Sequence, residues 1–180
     1  MFVSTQDVGQ AFKQAMRGLG SSVTILSTEL ACVRYGMVAT AAMSVSMEPA
    51  SMVVAINRSA SIHNPLIERG AFVVNILTHW DKSLVEGFAR ASGEGRFANG
   101  PWSTASISDR SIPLPYLANA VASVFLTVAD VFASGTHSLV VGHVQRVALH
   151  SEKHPLLYCD GTYGSFKPFR ELCAAETSAA

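Results

Sequence analysis

Charge is scarce in these 180 residues: acidic and basic side chains together make up 14%, thirteen of each sign, for a formal net charge of zero. A chain with so little charge and no basic stretch has no electrostatic footprint for a nucleic-acid backbone. Its 49% hydrophobic content also excludes an intrinsically disordered chain. Cysteine is equally sparse. Cys32, Cys159 and Cys173 are odd in number and far apart, with no C-x-x-C pair, which argues against a disulfide framework or a zinc site and for a reducing compartment. No window approaches the ~18 uninterrupted apolar residues of a membrane span. The N-terminus lacks a basic region followed by an apolar core, so it does not read as a signal peptide. The expectation is a cytoplasmic protein with no membrane, nucleic-acid or metal partner.

Several catalytic signatures are missing too. No G-x-G-x-x-G follows a strand, and GEGRFANG has the wrong spacing, so any nucleotide binds without a Rossmann crevice. No G-x-S-x-G elbow occurs, and no paired carboxylates stand out. His137 and His143 share a strand face but lie ~20 Å apart, too far to ligate one metal. His150, Glu152 and His154 flank a turn and read as a solvated loop.

What is present is a single folding unit over 1–170, large enough for a core, with a flexible tail over 171–180. Apolar residues at helical spacing predict an amphipathic helix over Thr5–Leu19, its stripe packed on the rest of the domain. Val23–Ser27 and Phe72–Leu77 read as strands, Asn64–Gly70 and Asp81–Ala91 as helices, the former with Asn64 as N-cap and Pro65 in the first turn. Asn99–Tyr116 shows no period and reads as a long loop. Ala120–Phe132 and Ser138–Leu149 read as a long hairpin, and Leu156–Tyr158 and Thr162–Phe166 as the last strands. Many strands joined by turns predict an antiparallel barrel, split or closed, with helices on its flanks.

The chain is organised around Arg34–Asn57. Ala39, Thr40, Ala41, Ala42, Ser44 and Ser46 supply little apolar volume, so another body must approach their backbone: a ligand, or a closely packed helix or sheet. The continuation Asn57-Arg58-Ser59-Ala60-Ser61-Ile62-His63 gathers an amide, a guanidinium and two hydroxyls before a helix start, which is equipment for holding a phosphate. Asn57 would also serve as a structural cap, and Arg96 as a surface charge.

The run GMVATAAMSVSMEPASMVVAINRSASIH resembles the core motif of the short-chain flavin reductase family. The likeness continues through FVVNIL, FARASGEGRF, THSLVVGHV and PLLYCDGTYGSF, and so covers nearly the whole chain. It implies a mainly β, Greek-key FMN-binding split barrel. It further implies hydride transfer from NADH or NADPH to FMN or FAD, with reduced flavin leaving for an oxygenase partner. By the same resemblance Ala39, Thr40 and Ala41 with Ser44, Val45 and Ser46 would line the isoalloxazine. Asn57, Arg58, Ser59 and Ser61 would meet the ribityl-phosphate arm, and Arg96 and Phe97 would close over it. His137, whose commoner role at a strand start is to satisfy a turn carbonyl, would meet NADH with Tyr163 from a neighbouring strand. Val38 and Ala42 depart from the hydroxyl and aromatic residues common in that family. Two rivals share this barrel: a flavin-storage module without turnover, and an oxidase of the pyridoxamine-phosphate type, for which more Arg and Lys would be expected at the phosphate. Low surface charge and the long loop together predict a homodimer that encloses the site.

Overall fold

The computed structural model describes residues 7–108, 113–150 and 154–169. Helix α1 (Val8–Arg17) precedes β1 (Ser21–Ser22), β2 (Thr24–Leu30), β3 (Val33–Ala39), β4 (Ala42–Met47) and β5 (Ala50–Asn57). Then come α2 (His63–Arg69), β6 (Ala71–Ile76) and α3 (Lys82–Arg90), with 3-10 turns at His79–Asp81 and Gly93–Phe97. The chain continues through β7 (Trp102–Ala105), β8 (Leu114–Leu117), β9 (Ala122–Ser134), β10 (His137–Leu149), β11 (Leu156–Cys159) and β12 (Thr162–Ser165).

A seven-stranded antiparallel sheet runs β3-β2-β6-β9-β10-β5-β4, with β1-β11-β12 as a smaller sheet beside it. The organising segment is therefore split: β3 lies at one end of the large sheet and β4–β5 at the other, joined in sequence by Thr40 and Ala41. That is the mainly β, split-barrel arrangement expected. The inner faces alternate as strand geometry requires, and Leu26, Ile56, Phe72, Leu126 and Val140 are all fully buried together. α2 closes this core with Ile62 and Leu66. A second cluster, Val23, Ile25, Leu77, Val85, Phe88 and Phe97, lies under α3. Each such side chain contributes about 1.5–3 kcal/mol relative to exposure.

One buried polar group ties several strands together. Asn75, fully buried, donates to Ile25 O at 2.9 Å and to Ser27 Oγ at 3.0 Å, and accepts from Leu117 N at 2.9 Å and Ser123 Oγ at 3.0 Å. Four strands, β2, β6, β8 and β9, are thereby knotted around one amide.

Three expectations need correction. α1 buries no residue: Val8, Phe12 and Met16 are 52%, 61% and 43% exposed, so its apolar stripe does not pack on its own barrel. Polar contacts hold the helix instead, with Arg17 Nε 2.6 Å from Asp160 Oδ1 and Asp160 N donating to Arg17 O at 2.7 Å. The Asn99–Tyr116 stretch is not irregular throughout, because β7 pairs with β8 along four residues and Leu114 and Leu117 are buried. Finally, α2 starts two residues earlier than expected, with Ile62 rather than Asn64 at its N-cap. The tail over 171–180 and Glu152 lie outside the described residues.

Candidate active site

Residues two apart on a strand share a face. The outer face of β5 carries Val53, Ala55 and Asn57, and β10 sets Val141, Leu139 and His137 directly opposite them. Ala55 and Leu139, with Thr40, Ala41, Ala42, Met43 and Val53, floor a groove of about 270 Å³ whose far wall is Leu19 and Ser21. At ~3.3 Å per residue, the Asn57–His137 pair lies ~7 Å further along the same face. The track thus changes from apolar to polar within two residues.

Beyond Asn57 the chain turns into a donor loop. Asn57 Oδ1 accepts from both the backbone N and the Oγ of Ser59, each at 2.9 Å, which folds the loop back on itself. Ser61 Oγ stands 3.2 Å from Arg96 Nη1, which also donates to Gly36 O at 2.6 Å, while Arg96 Nε donates to Ala91 O at 3.0 Å. Three bonds fix the guanidinium beside Ser61 and leave two of its five N–H groups for an acceptor. Gly36 permits this approach of β3 to α3, since a Cβ there would lie 2.6 Å from the Phe88 ring.

The turn carrying Arg96 is itself pinned. Glu94 Oε2 takes Arg34 Nη2 at 2.6 Å and Nε at 2.9 Å, and Glu94 Oε1 takes Arg34 N at 2.8 Å. The Arg34 hydrogen bonds hold the Glu94 carboxyl below the usual carboxylate range, against a smaller opposing effect of burial.

The expected residues divide by position. Thr40 and Ala41 line the groove; Asn57 pairs with His137 beyond its floor, Ser59 folds onto Asn57, and Ser61 meets Arg96. Ala39 is buried in the core, and its carbonyl accepts from Thr24 Oγ1 at 2.8 Å. Ser44, Val45 and Ser46 follow the groove-lining residues along β4 at a bulge, and the Ser46 hydroxyl is engaged with Glu48 N and O in its own turn. Arg58 faces the β9–β10 turn, its guanidinium donating to Gly135 O and its backbone N to Thr136 O. Phe97 is 5% exposed and packs edge-on against Phe88 and Trp102. His137 Nδ1 lies 3.0 Å from Thr136 Oγ1, and its ring is exposed.

Tyr163 belongs to the smaller sheet, where it packs against the second core cluster and lies 5.3 Å from the Tyr158 ring. Burial is the main cause that raises its phenol, with Tyr158 and Glu86 adding to it. The tyrosine of this hairpin that reaches the groove is Tyr158, which shares a continuation of it with Met16, Leu19, Ser21 and Thr40. Leu139, Ala55 and Tyr158 are among the lining residues that sequence reasoning missed, with Leu19, Ser21, Met43 and Val53. Leu139 and Ala55 could have been found by stepping two residues along each strand from His137 and Asn57.

A flat apolar floor, then an amide–imidazole pair, then hydroxyls and a fixed guanidinium fit a ligand with a planar ring system at one end and a phosphate at the other. The family model for the flavin reductase like domain matches residues 16–167. Over 172 residues the chain is 33% identical to the reductase component of an FADH(2)-dependent resorcinol hydroxylase from Rhizobium sp. (strain MTP-10005), covering 92% of each. It is 33% identical over 155 residues to the FMN reductase (NADH) RutF of Yersinia enterocolitica, covering 86% of this chain and 82% of that one. Among solved structures, flavin reductase PheA2 in its native state superposes with a TM-score of 0.75 at 28% identity, over 88% of this chain and 98% of its own.

Proposed function

Because this chain belongs to the flavin reductase-like family, we propose that it oxidises NADH or NADPH, reduces FMN or FAD, and releases reduced flavin to a separate oxygenase component. The observation that carries this reading is the register of β5 on β10, which sets Ala55–Leu139 and Asn57–His137 in one line leading to Ser59, Ser61 and Arg96. A bound flavin would supply the two-electron acceptor to which the nicotinamide hydride passes. The protein's part is placement: Thr40, Ala41 and Ala55 would bring backbone close to the ring, while Ser61 and Arg96 would hold the phosphate through charge-assisted bonds. Ser59, folded onto Asn57, turns the loop so that Ser61 faces Arg96. His137, next along the face after Leu139, would orient the nicotinamide against the flavin ring. With two rings held at ~3–3.5 Å and water excluded, no strong general acid or base is required.

The names of the relatives divide between FMN and FADH2, so FMN and FAD are both candidate substrates. The active form is read as a homodimer in the cytoplasm. Support for the dimer comes from the apolar face of α1, which the described residues of one subunit leave exposed, and from Met43, Leu139 and Phe132, exposed on the outer sheet face. Among the described residues, no helix is long and apolar enough to cross a membrane. The test is to mix the purified protein with FMN or FAD and then NADH or NADPH, and follow loss of the nicotinamide absorbance band. Flavin-dependent loss of that band is expected; flavin binding without it returns the chain to the storage reading.

A further inference from the structure

His63 is 8% exposed, and both ring nitrogens are engaged: Nδ1 lies 2.7 Å from Asn64 Oδ1 and Nε2 lies 2.9 Å from Ser138 Oγ. An amide oxygen can only accept, so Nδ1 carries the hydrogen. In the neutral ring Nε2 then accepts from the Ser138 hydroxyl. Ser138, 3% exposed, sits on the inner face of β10 opposite Ile56, immediately after His137. His63 closes the loop that holds Ser59 and Ser61. The bond therefore joins the base of the phosphate loop to the strand that presents His137, and the two Arg58 contacts with Gly135 and Thr136 stitch the other side of the same junction.

We propose that His63 is a positioning residue which, through Ser138, fixes the spacing between the flavin phosphate loop and His137. The inference rests on the reductase reading given above. Each subsite has its own anchors: Arg96 and Asn57 shape the loop, and sheet pairing on both edges holds β10. Losing the His63–Ser138 bond should leave each ligand's affinity nearly intact while loosening the distance between them. Hydride transfer is steeply sensitive to that distance, a displacement near 1 Å costing on the order of a hundredfold.

Three variants separate this from simple support of the fold. Ser138→Ala removes the hydroxyl, and His63→Asn keeps a partner for Asn64 but is too short to reach Ser138. Ser138→Thr restores the hydroxyl. At saturating NADH and flavin, stopped-flow reduction should slow roughly tenfold or more in the first two variants, with no further loss when they are combined, and recover in Ser138→Thr. Over the same series, flavin affinity and the affinity of the oxidised, flavin-loaded protein for NAD+ should stay within about twofold, because neither measures the spacing. Hydrogen exchange gives a reading that needs no turnover: FMN should slow exchange of the 134–140 segment in the wild type but not in Ser138→Ala. Wild-type rates in Ser138→Ala, or rate losses matched by losses of flavin binding and thermal stability, would overturn the proposal. So would a wild type whose 134–140 segment ignores FMN. If the wild type binds FMN but never oxidises NADH, the reductase reading falls and the exchange comparison alone decides the role of His63.

Discussion

At the scale of single residues, the site rests on a few polar atoms whose removal has separable effects. On the proposed reading, Arg96→Ala or Ser61→Ala would remove a hydrogen bond to the flavin phosphate, worth about 1.5–3 kcal/mol, so flavin dissociation constants should rise roughly tenfold or more in fluorescence titration. On the reading proposed above, in which His137 serves the nicotinamide and Ser61 and Arg96 the flavin phosphate, His137→Ala should instead raise the Michaelis constant for NADH several-fold while flavin affinity holds. Steady-state kinetics at fixed flavin checks this. The sequence made Asn57–Ser61 legible as a polar turn before a helix, but not that Arg58 would bond the β9–β10 turn and Ser59 would fold onto Asn57, since those partners are set by tertiary placement. Phe97 and Tyr163 could not be placed that way. An aromatic side chain beside a functional residue packs inward or outward according to tertiary neighbours, here Phe88 and Trp102 for Phe97 and the second core cluster for Tyr163. Short-range pattern contains neither.

At the scale of elements, β3 and the 3-10 turn at Gly93–Phe97 act as one support. Gly36→Ala would push a methyl to 2.6 Å from Phe88, forcing α3 off β3 and destabilising the protein by about 1–3 kcal/mol, as urea unfolding would report. The Arg34–Glu94 pair makes a pH-dependent contribution. Folding lowers the Glu94 pKa from 4.5, so its contribution is present above that value and is lost as pH falls through the lower folded value. The difference in unfolding midpoint between wild type and Glu94→Gln should therefore be visible at neutral pH and shrink toward zero in acid. It should also be small, since Glu94 is 51% exposed. Long strands and α3 were legible in sequence because their periodicity runs over many residues. β7 and β8 were not: four residues each, one containing Pro115, carry too little alternation to separate a strand from a loop.

At the scale of the whole molecule, the stripe on α1 was correctly seen as amphipathic but assigned to the wrong surface. Periodicity shows that a face is apolar; it does not show which body covers it. If a second copy covers it, Phe12→Glu with Met16→Glu should halve the mass seen by light scattering at micromolar concentration, and a wild-type monomer would refute the dimer outright. The sheet order also has a consequence for synthesis. β5 and β4 emerge early, but the strand that pairs with Asn57 and Ala55 begins about eighty residues later, at His137. Until β10 leaves the ribosome, β5 is an open edge rich in valine and methionine, and such edges recruit other chains. Loop closure on that scale also makes this pairing slow. Stalled nascent chains ending between β9 and β10 should accordingly be the ones that trigger-type chaperones hold longest and that aggregate first when those chaperones are removed.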